Sequence, residues 1–191
     1  MFKPFMKNMI NIICLWAITG PVFARDTTAT MKTGPQSIGH RDIAVMKQTW
    51  LDAHNEERAR FGYTPLKWHE ALANDAAKYA AEMARTEIFE HSNQTNAIYA
   101  QGENLWMGTN GAYSDRDMVD IWVNERSHFL PGTFPYISKT GNWADIGHYT
   151  QMIWPDTKYV GCALSGNPRD EYFVCRYYPA GNVLGEKIGV K

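Results

Sequence analysis

The sequence has no cluster of basic residues, no long apolar run and few cysteines, and each absence excludes a class of protein. No basic run exceeds a dipeptide and the formal net charge is −1, so the chain has no electrostatic footprint for nucleic acid. The apolar stretch at residues 10–19 is half the length of a membrane-spanning helix. A hydrophobic content of 45% in 191 residues excludes a disordered chain and suits one globular domain.

Familiar catalytic motifs are also missing. The chain contains no nucleophile elbow, no H-E-x-x-H helix, no phosphate-binding glycine loop and no cluster of cysteine ligands. Any chemistry must therefore come from residues that lie far apart in the sequence.

Residues 1–24 have the pattern of a secretory signal peptide. Lys3 and Lys7 precede the apolar stretch, and Val22-Phe23-Ala24 suits a signal peptidase site. An N-terminal membrane anchor is the alternative, and the short apolar stretch argues against it. We therefore expect a secreted protein, extracellular or periplasmic, with no transmembrane segment after processing.

Removal of this leader changes the cysteine count. Cys14 lies inside it, so only Cys162 and Cys175 remain, and the formal charge becomes −3 because two lysines and no acids are lost. Two cysteines in an exported chain suggest one disulfide. We expect a flexible linker at 25–41 and one domain at 42–191.

Three helices are predicted from apolar spacing and capping residues. The first begins after Asp42 and ends before Gly62, and the second covers about 70–88 and is rich in alanine. The third begins at Ser114 with Asp117 as a capping-box partner. Its apolar positions continue to Phe129.

The C-terminal third is predicted to be β-structure. The runs 148–154, 159–164 and 172–178 are rich in β-forming residues and are bounded by turn residues. A hairpin centred on residues 165–172 places Cys162 opposite Cys175, at a separation that a disulfide spans. We therefore predict a structural disulfide between these two residues.

Four polar residues have no obvious structural role. Glu125 falls on the apolar face of the third helix, where a carboxylate needs a partner. His148 opens a predicted strand, His91 follows the second helix, and Glu103 lies in a GENL segment. Alone, each is more often structural than functional; together they would form a metal or acid–base site. The remaining histidines, His40, His54, His69 and His128, are assigned surface or structural roles.

A series of ordered motifs now identifies a resemblance. From Trp50 to Ile188 the chain resembles the CAP superfamily, which comprises cysteine-rich secretory proteins, antigen 5 and plant pathogenesis-related proteins of class one. The matching segments are AHNxxR at 53–58, PLxW at 65–68, HS at 91–92, GENL at 102–105, WxxE at 122–125, GHYTQxxW at 147–154, YYPAGN at 177–182 and GE at 185–186.

The resemblance implies an α+β fold, a three-layer α-β-α sandwich, in which four residues line one cleft. His91 and His148 would hold a divalent metal, usually zinc, with Glu103 and Glu125 nearby. Water would complete the shell, so the binding should be weaker than at a closed four-ligand site.

The chain also departs from many relatives, because it has one expected disulfide and no cysteine-rich extension. The segment 127–145 is similar in position to a sterol-binding loop of some yeast members, without a close match in sequence. Its aromatic residues either contact a lipid or pack over the cleft; they are Phe129, Phe134, Tyr136 and Trp143.

Two functions follow as expectations. The first is a non-enzymatic protein that binds a small apolar ligand (a lipid or sterol) or an extracellular protein partner, with a labile and non-essential metal. The second is a metal-assisted, peptidase-like hydrolase, in which Glu103 or Glu125 activates water. A third possibility is that the four residues only brace the cleft.

Overall fold

The computed structural model describes residues 41–94 and 100–189. The predicted leader, Cys14, His40 and all but the last residue of the predicted linker lie outside these ranges. Within them, no helix is long and apolar enough to cross a membrane.

The first helix, α1 (Ile43–Ala59), begins where the sequence predicts. The Asp42 side chain accepts a hydrogen bond from the backbone amide of Ala44 at 2.8 Å, which confirms the predicted cap. The helix ends three residues before Gly62, whose φ of +68° suits a residue without a side chain. Its buried face carries three polar residues among apolar ones, namely His54, Glu57 and Arg58.

The central sheet contains four strands in the order β1 (Lys67–Trp68), β4 (Tyr159–Gly166), β5 (Asp170–Tyr178) and β2 (Gly102–Thr109). β1 is parallel to β4, and the other two pairs are antiparallel. β2 therefore lies at one edge of the sheet. A separate pair is formed by β3 (Gly132–Thr133) and β6 (Lys187–Ile188).

The β4–β5 hairpin has the predicted register. Cys162 lies opposite Cys175, and Ser165 lies opposite Tyr172. The two cysteines form a disulfide with a Cα–Cα separation of 4.1 Å. The predicted pairing is confirmed.

The alanine-rich helix α2 (Glu70–Thr86) packs directly on β4 and β5. Ala76, Ala80 and Ala84 recur every four residues on its buried face. On the strand side, a Cβ atom at Gly161 would lie 2.2 Å from the backbone nitrogen of Ala73. Small residues on both sides therefore permit the close contact.

The third helix, α3 (Asp115–Asn124), is shorter than predicted. Ser114 and Asp117 form the predicted capping box. The helix ends at Asn124, and Glu125–His128 form a 3-10 turn, so the apolar face does not continue to Phe129. Glu125 is therefore at a change of helix type, and the side chains that follow no longer keep the 3.6-residue period.

The predicted strand at 148–154 is wrong, because Gly147–Met152 form a short helix, α4, preceded by a 3-10 turn at Trp143–Ile146. Residues 149–154 are all buried, so the alternation of buried and exposed side chains that a half-buried strand would show is absent from this segment. Arg58 binds the C-terminal end of this helix, because its guanidinium donates to the carbonyls of Met152 at 3.2 Å and Trp154 at 2.7 Å.

Together these elements form three layers. Helix α2 covers one face of the sheet, and α1, α3 and α4 cover the other. This is the predicted α-β-α sandwich of the α+β class, and its larger core, on the α1 side, contains Trp122, Tyr149, Trp154, Phe173 and Tyr177.

Arg41 attaches the start of the described chain to the sheet. Its Nη2 donates to Glu171 on β5 at 3.1 Å and to the carbonyl of Tyr113 at 3.0 Å. Glu171 is fully buried. Asp115 lies 3.4 Å from Nη1 of the same arginine, and burial raises the pKa of this carboxyl against the opposing effect of Arg41.

Candidate functional site

His91 is fixed by a glutamate from the edge strand. Nδ1 of His91 lies 2.6 Å from Oε1 of Glu103 on β2. The backbone amide of Ser92 donates to the same oxygen at 2.9 Å. Two consecutive residues are therefore held by one carboxylate.

The other oxygen of Glu103 is paired with a buried cation. Nη2 of Arg176 lies 2.8 Å from Oε2, and both side chains are nearly inaccessible. Burial raises the pKa of Glu103, but the hydrogen bond from His91 and the charge of Arg176 outweigh it and keep the pKa below its usual value. Glu103 is thus a fixed anion.

Tyr79 of α2 supports the same half of the site. Its hydroxyl donates to the carbonyl of Glu90 at 2.6 Å, and its ring lies under the Arg176 guanidinium at 5.3 Å. Burial and the charge of Glu103 raise the pKa of Tyr79 to about 12. The backbone of Glu90, the residue before His91, is therefore held by the neutral hydroxyl of Tyr79.

His148 has the corresponding arrangement on the other layer. Its Nδ1 lies 2.6 Å from Oε1 of Glu125, while the amide of Tyr149 donates to Oε2 at 2.9 Å. The imidazole stacks on Trp122, with a centroid distance of 5.8 Å and an interplanar angle of 9°. The arrangement repeats that of His91: one glutamate holds the histidine and the amide of the next residue.

This repeated arrangement fixes the chemistry of both rings. Each Nδ1 faces a carboxylate that accepts, so in the neutral ring the proton is on Nδ1 and the Nε2 lone pair is free. The glutamates differ, because Glu125 has no Lys or Arg ion pair among the described residues. Among the described residues, only the glutamate of the His91 half is paired directly with an arginine.

Glu57, a residue that the sequence analysis missed, braces the His148 half. Its carboxylate accepts two bonds from Nη1 of Arg126, at 2.7 and 2.9 Å, and one from the hydroxyl of Tyr149 at 3.1 Å. Arg126 follows Glu125 and Tyr149 follows His148. A signal was present in the sequence, since Glu57 falls seven residues after Trp50 on the apolar face of α1.

His54 and Asn104 connect the core to the same half. Asn104 donates to the backbone carbonyl of His148 at 3.0 Å and to the hydroxyl of Tyr177 at 3.1 Å. Tyr177 is in turn 2.7 Å from Nε2 of His54. The structural role predicted for His54 agrees with this buried position.

The histidines face a cavity of about 510 Å³. His91, Glu125 and His148 line it, and Glu103 is behind His91. Exposed His128 also lines it, whereas exposed His69 is not among the lining residues. The remaining lining residues form an apolar group, Phe89, Leu105, Trp106, Met107, Ile121 and Trp122, and a polar group, Glu90, Asn124, Ser127 and Asp145.

The four aromatic residues proposed as a ligand loop lie elsewhere. Phe129 and Phe134 are buried in the core, and Trp143 packs against Phe134. Tyr136 is 87% exposed. None of the four lines the cavity, although Ser127, His128 and Asp145 of the same segment do.

The two free Nε2 atoms are the atoms best suited to bind a metal. Within residues 41–94 and 100–189, no group of three or more His, Cys, Asp or Glu side chains could hold an ion. A metal would therefore depend on two imidazoles and on solvent or a ligand. Such a site suits exchangeable binding rather than a closed structural centre.

Comparison with known proteins gives concordant matches. The sequence model described as the cysteine-rich secretory protein family (CAP) matches residues 51–177. Pathogenesis-related protein 1C of Nicotiana tabacum is 35% identical over 142 residues, covering 73% of this chain and 79% of the relative. The Golgi-associated plant pathogenesis-related protein 1 of Homo sapiens is 33% identical over 138 residues, covering 71% and 84%.

Solved structures show the same fold. The crystal structure of NaASP2 with Zn²⁺ superimposes with a TM-score of 0.58 at 22% identity, covering 83% of this chain and 88% of that one. The crystal structure of Na-ASP-1 gives a TM-score of 0.59 at 22% identity, covering 86% and 45%.

Proposed function

The chain belongs to the cysteine-rich secretory protein (CAP) family, and from that premise we propose that it is an exported, non-enzymatic binding protein whose cavity takes a small apolar ligand beside a divalent-metal site. Export rests on the predicted leader at 1–24. An extracellular protein is the alternative partner.

One observation carries this proposal: two histidines, each anchored through Nδ1, face a cavity with a largely apolar wall. Leu105, Trp106 and Ile121 belong to that wall. Apolar cavities with a few well-placed polar groups are typical of small-molecule sites. His91 and His148 supply the polar groups.

We propose zinc as the metal, bound weakly by Nε2 of both histidines. Imidazole nitrogen is a common zinc ligand, and a carboxylate on the other ring nitrogen increases its basicity. NaASP2, which shares the fold, is described with Zn²⁺. When bound, the ion would act as a Lewis acid toward an oxygen of the ligand.

Calorimetry with zinc alone tests the metal site. The wild type should bind one ion, and affinity should fall in acid because the ligands must be neutral imidazoles. The double variant His91→Ala, His148→Ala should lose this binding, while the exposed-residue control His69→Ala keeps it. Normal binding by the double variant would overturn the site.

Mass spectrometry of molecules extracted from the natively secreted protein tests the ligand. A recurrent apolar molecule should copurify with the wild type and with Tyr136→Ser, but not with Ile121→Asp. Loss in Tyr136→Ser alone would place the ligand at the exposed loop instead. Absence of any apolar molecule from the wild type would contradict the proposal.

A hydrolase is the second candidate, and one observation favours Glu125 over Glu103 as its base. Glu125 lines the cavity beside His148, whereas Glu103 is ion-paired with Arg176. Glu125→Gln should then abolish peptide turnover while thermal unfolding is unchanged. Unchanged turnover in this variant would indicate a contaminating enzyme.

A further inference from the structure

The cavity lies along the outer edge of β2, where the described residues add no further strand to the sheet. Leu105, Trp106 and Met107 are consecutive in β2, and all three line the cavity. Consecutive strand residues point to opposite faces, and indeed Leu105 packs on the α2 side while Trp106 packs in the other core. A single cavity reaches all three only from beside the strand.

The backbone amide and carbonyl groups of successive β2 residues point alternately toward β5 and away from it. The backbone amide of Asn110 donates to the carbonyl of Arg169 at 2.8 Å, which continues the β2–β5 ladder. Because hydrogen-bonded positions recur every second residue, the even-numbered residues of β2 direct their backbone amide and carbonyl toward β5. Conversely, the amide and carbonyl of Gln101 bond to the side chain of Gln94 on the other side. Odd-numbered residues therefore face the open edge.

Two of these odd-numbered residues, Leu105 and Met107, lie at the cavity. No described group forms a hydrogen bond with the backbone amide or carbonyl of either one. A strand edge whose backbone groups have no described partner is a template for adding an extended chain. Met107 is exposed at this edge, whereas Leu105 is buried and is reached only through the cavity that it lines. Two apolar residues that line the cavity are exposed, Met107 at 41% and Ile121 at 38%.

The charge of the lining indicates which chain fits. Glu90, Glu125 and Asp145 line the cavity, whereas no Lys or Arg is among its described lining residues. We propose that an extended peptide with apolar and basic side chains pairs with β2 through Leu105 and Met107, and places its side chains in the cavity. This goes beyond the proposed small ligand, because it uses backbone groups that an apolar molecule leaves unpaired.

A labelled seven-residue peptide of alternating valine and lysine is the probe, with a valine–glutamate peptide as its charge control. Fluorescence anisotropy should show the lysine peptide binding at least about tenfold more tightly. N-methylation of alternate peptide amides should weaken binding about tenfold in one register and leave the other unchanged, since only one set faces β2. No binding of the lysine peptide, or equal loss in both registers, would overturn the proposal.

Protein variants provide an independent comparison. Met107→Pro removes the outward amide without breaking the β5 ladder, as proline is tolerated at such edge positions. It should weaken the lysine peptide about tenfold relative to Met107→Ala, which keeps the amide. Equal binding by both variants would contradict strand pairing. If Met107→Pro loses peptide binding but still copurifies with the apolar molecule, peptide pairing with β2 is supported independently of the small-ligand proposal.

Discussion

His54 and Tyr177 share a hydrogen bond of 2.7 Å between the imidazole Nε2 and the phenol oxygen in the buried core. Nδ1 of His54 lies 2.7 Å from the carbonyl of Trp50, which can only accept, so the proton is on Nδ1. Nε2 then accepts from Tyr177, whose oxygen accepts from Asn104. Donor and acceptor are therefore fixed in each of these three hydrogen bonds.

The first prediction follows from burial of His54. Burial lowers its pKa to about 4, against 6.5 for the unperturbed group, with the bond to Trp50 opposing the change. Because the pKa of His54 is lower in the folded than in the unfolded protein, the free energy of unfolding is highest above about pH 6.5. It should fall by roughly 3 kcal/mol as the pH decreases toward 4. Urea unfolding between pH 7 and pH 4 measures this loss.

The matched variants for that experiment are His54→Gln and His69→Gln. The first should be less stable at pH 7 but lose less stability in acid than the wild type, whereas the second, at an exposed position, should follow the wild-type curve. A parallel pH dependence in His54→Gln would show that another group titrates.

The second prediction concerns Glu57, which is 4% exposed and holds Arg126 and Tyr149. Glu57→Gln removes the charge that pairs with Arg126 and should lower the free energy of unfolding by about 2 kcal/mol. Zinc affinity should also fall, because Glu125 and His148 are adjacent to those partners. The neighbouring variant Glu56→Gln breaks only an exposed pair with Arg116 and should cost less than about 1 kcal/mol.

The third prediction concerns Arg58, whose buried guanidinium donates to backbone carbonyls in every bond it makes with the described residues, including those of Thr64 and Thr157. Burial lowers its pKa to about 10. An ammonium group cannot reproduce this planar set of donors, so Arg58→Lys should destabilise the protein by about 3 kcal/mol. Thermal unfolding checks this, with the exposed Arg60→Lys expected to be nearly neutral. Equal effects of the two changes would refute the assigned role.

The fourth prediction concerns the contact of α2 with the sheet. In Gly161→Ala the new Cβ would lie 2.2 Å from the Ala73 nitrogen, and backbone cannot move aside cheaply. We expect a loss of at least about 3 kcal/mol. Gly62→Ala is the contrast, since its surroundings are open and only its φ of +68° is unfavourable, at about 1 kcal/mol.

Local features were predictable from the sequence. Asp42 and Ser114 cap their helices by bonds to residues two or three positions away, and the Cys162–Cys175 register follows from a single hairpin. These depend on short-range geometry. The helix at 147–152 differs from the predicted strand because every residue in it except His148 is buried, so its apolar pattern shows no helical period.

The site required information that spacing does not contain. His91 lies after α2 and contacts Glu103 of β2, while Glu125 follows α3 and contacts His148 of α4. Only the family resemblance grouped them. The strand β2, which carries Glu103 and forms the cavity edge, was not predicted at all, because its burial does not alternate.

The pairing of Arg41 with Glu171 sets a limit on N-terminal trimming. Glu171 has no other described cationic partner, so a chain that begins at Arg41 keeps the fold's charge balance. A chain that begins one residue later would bury an uncompensated carboxylate near the start of β5. Maturation upstream of this position is therefore compatible with an intact sheet, whereas removal of Arg41 would destabilise the fold by about 3 kcal/mol.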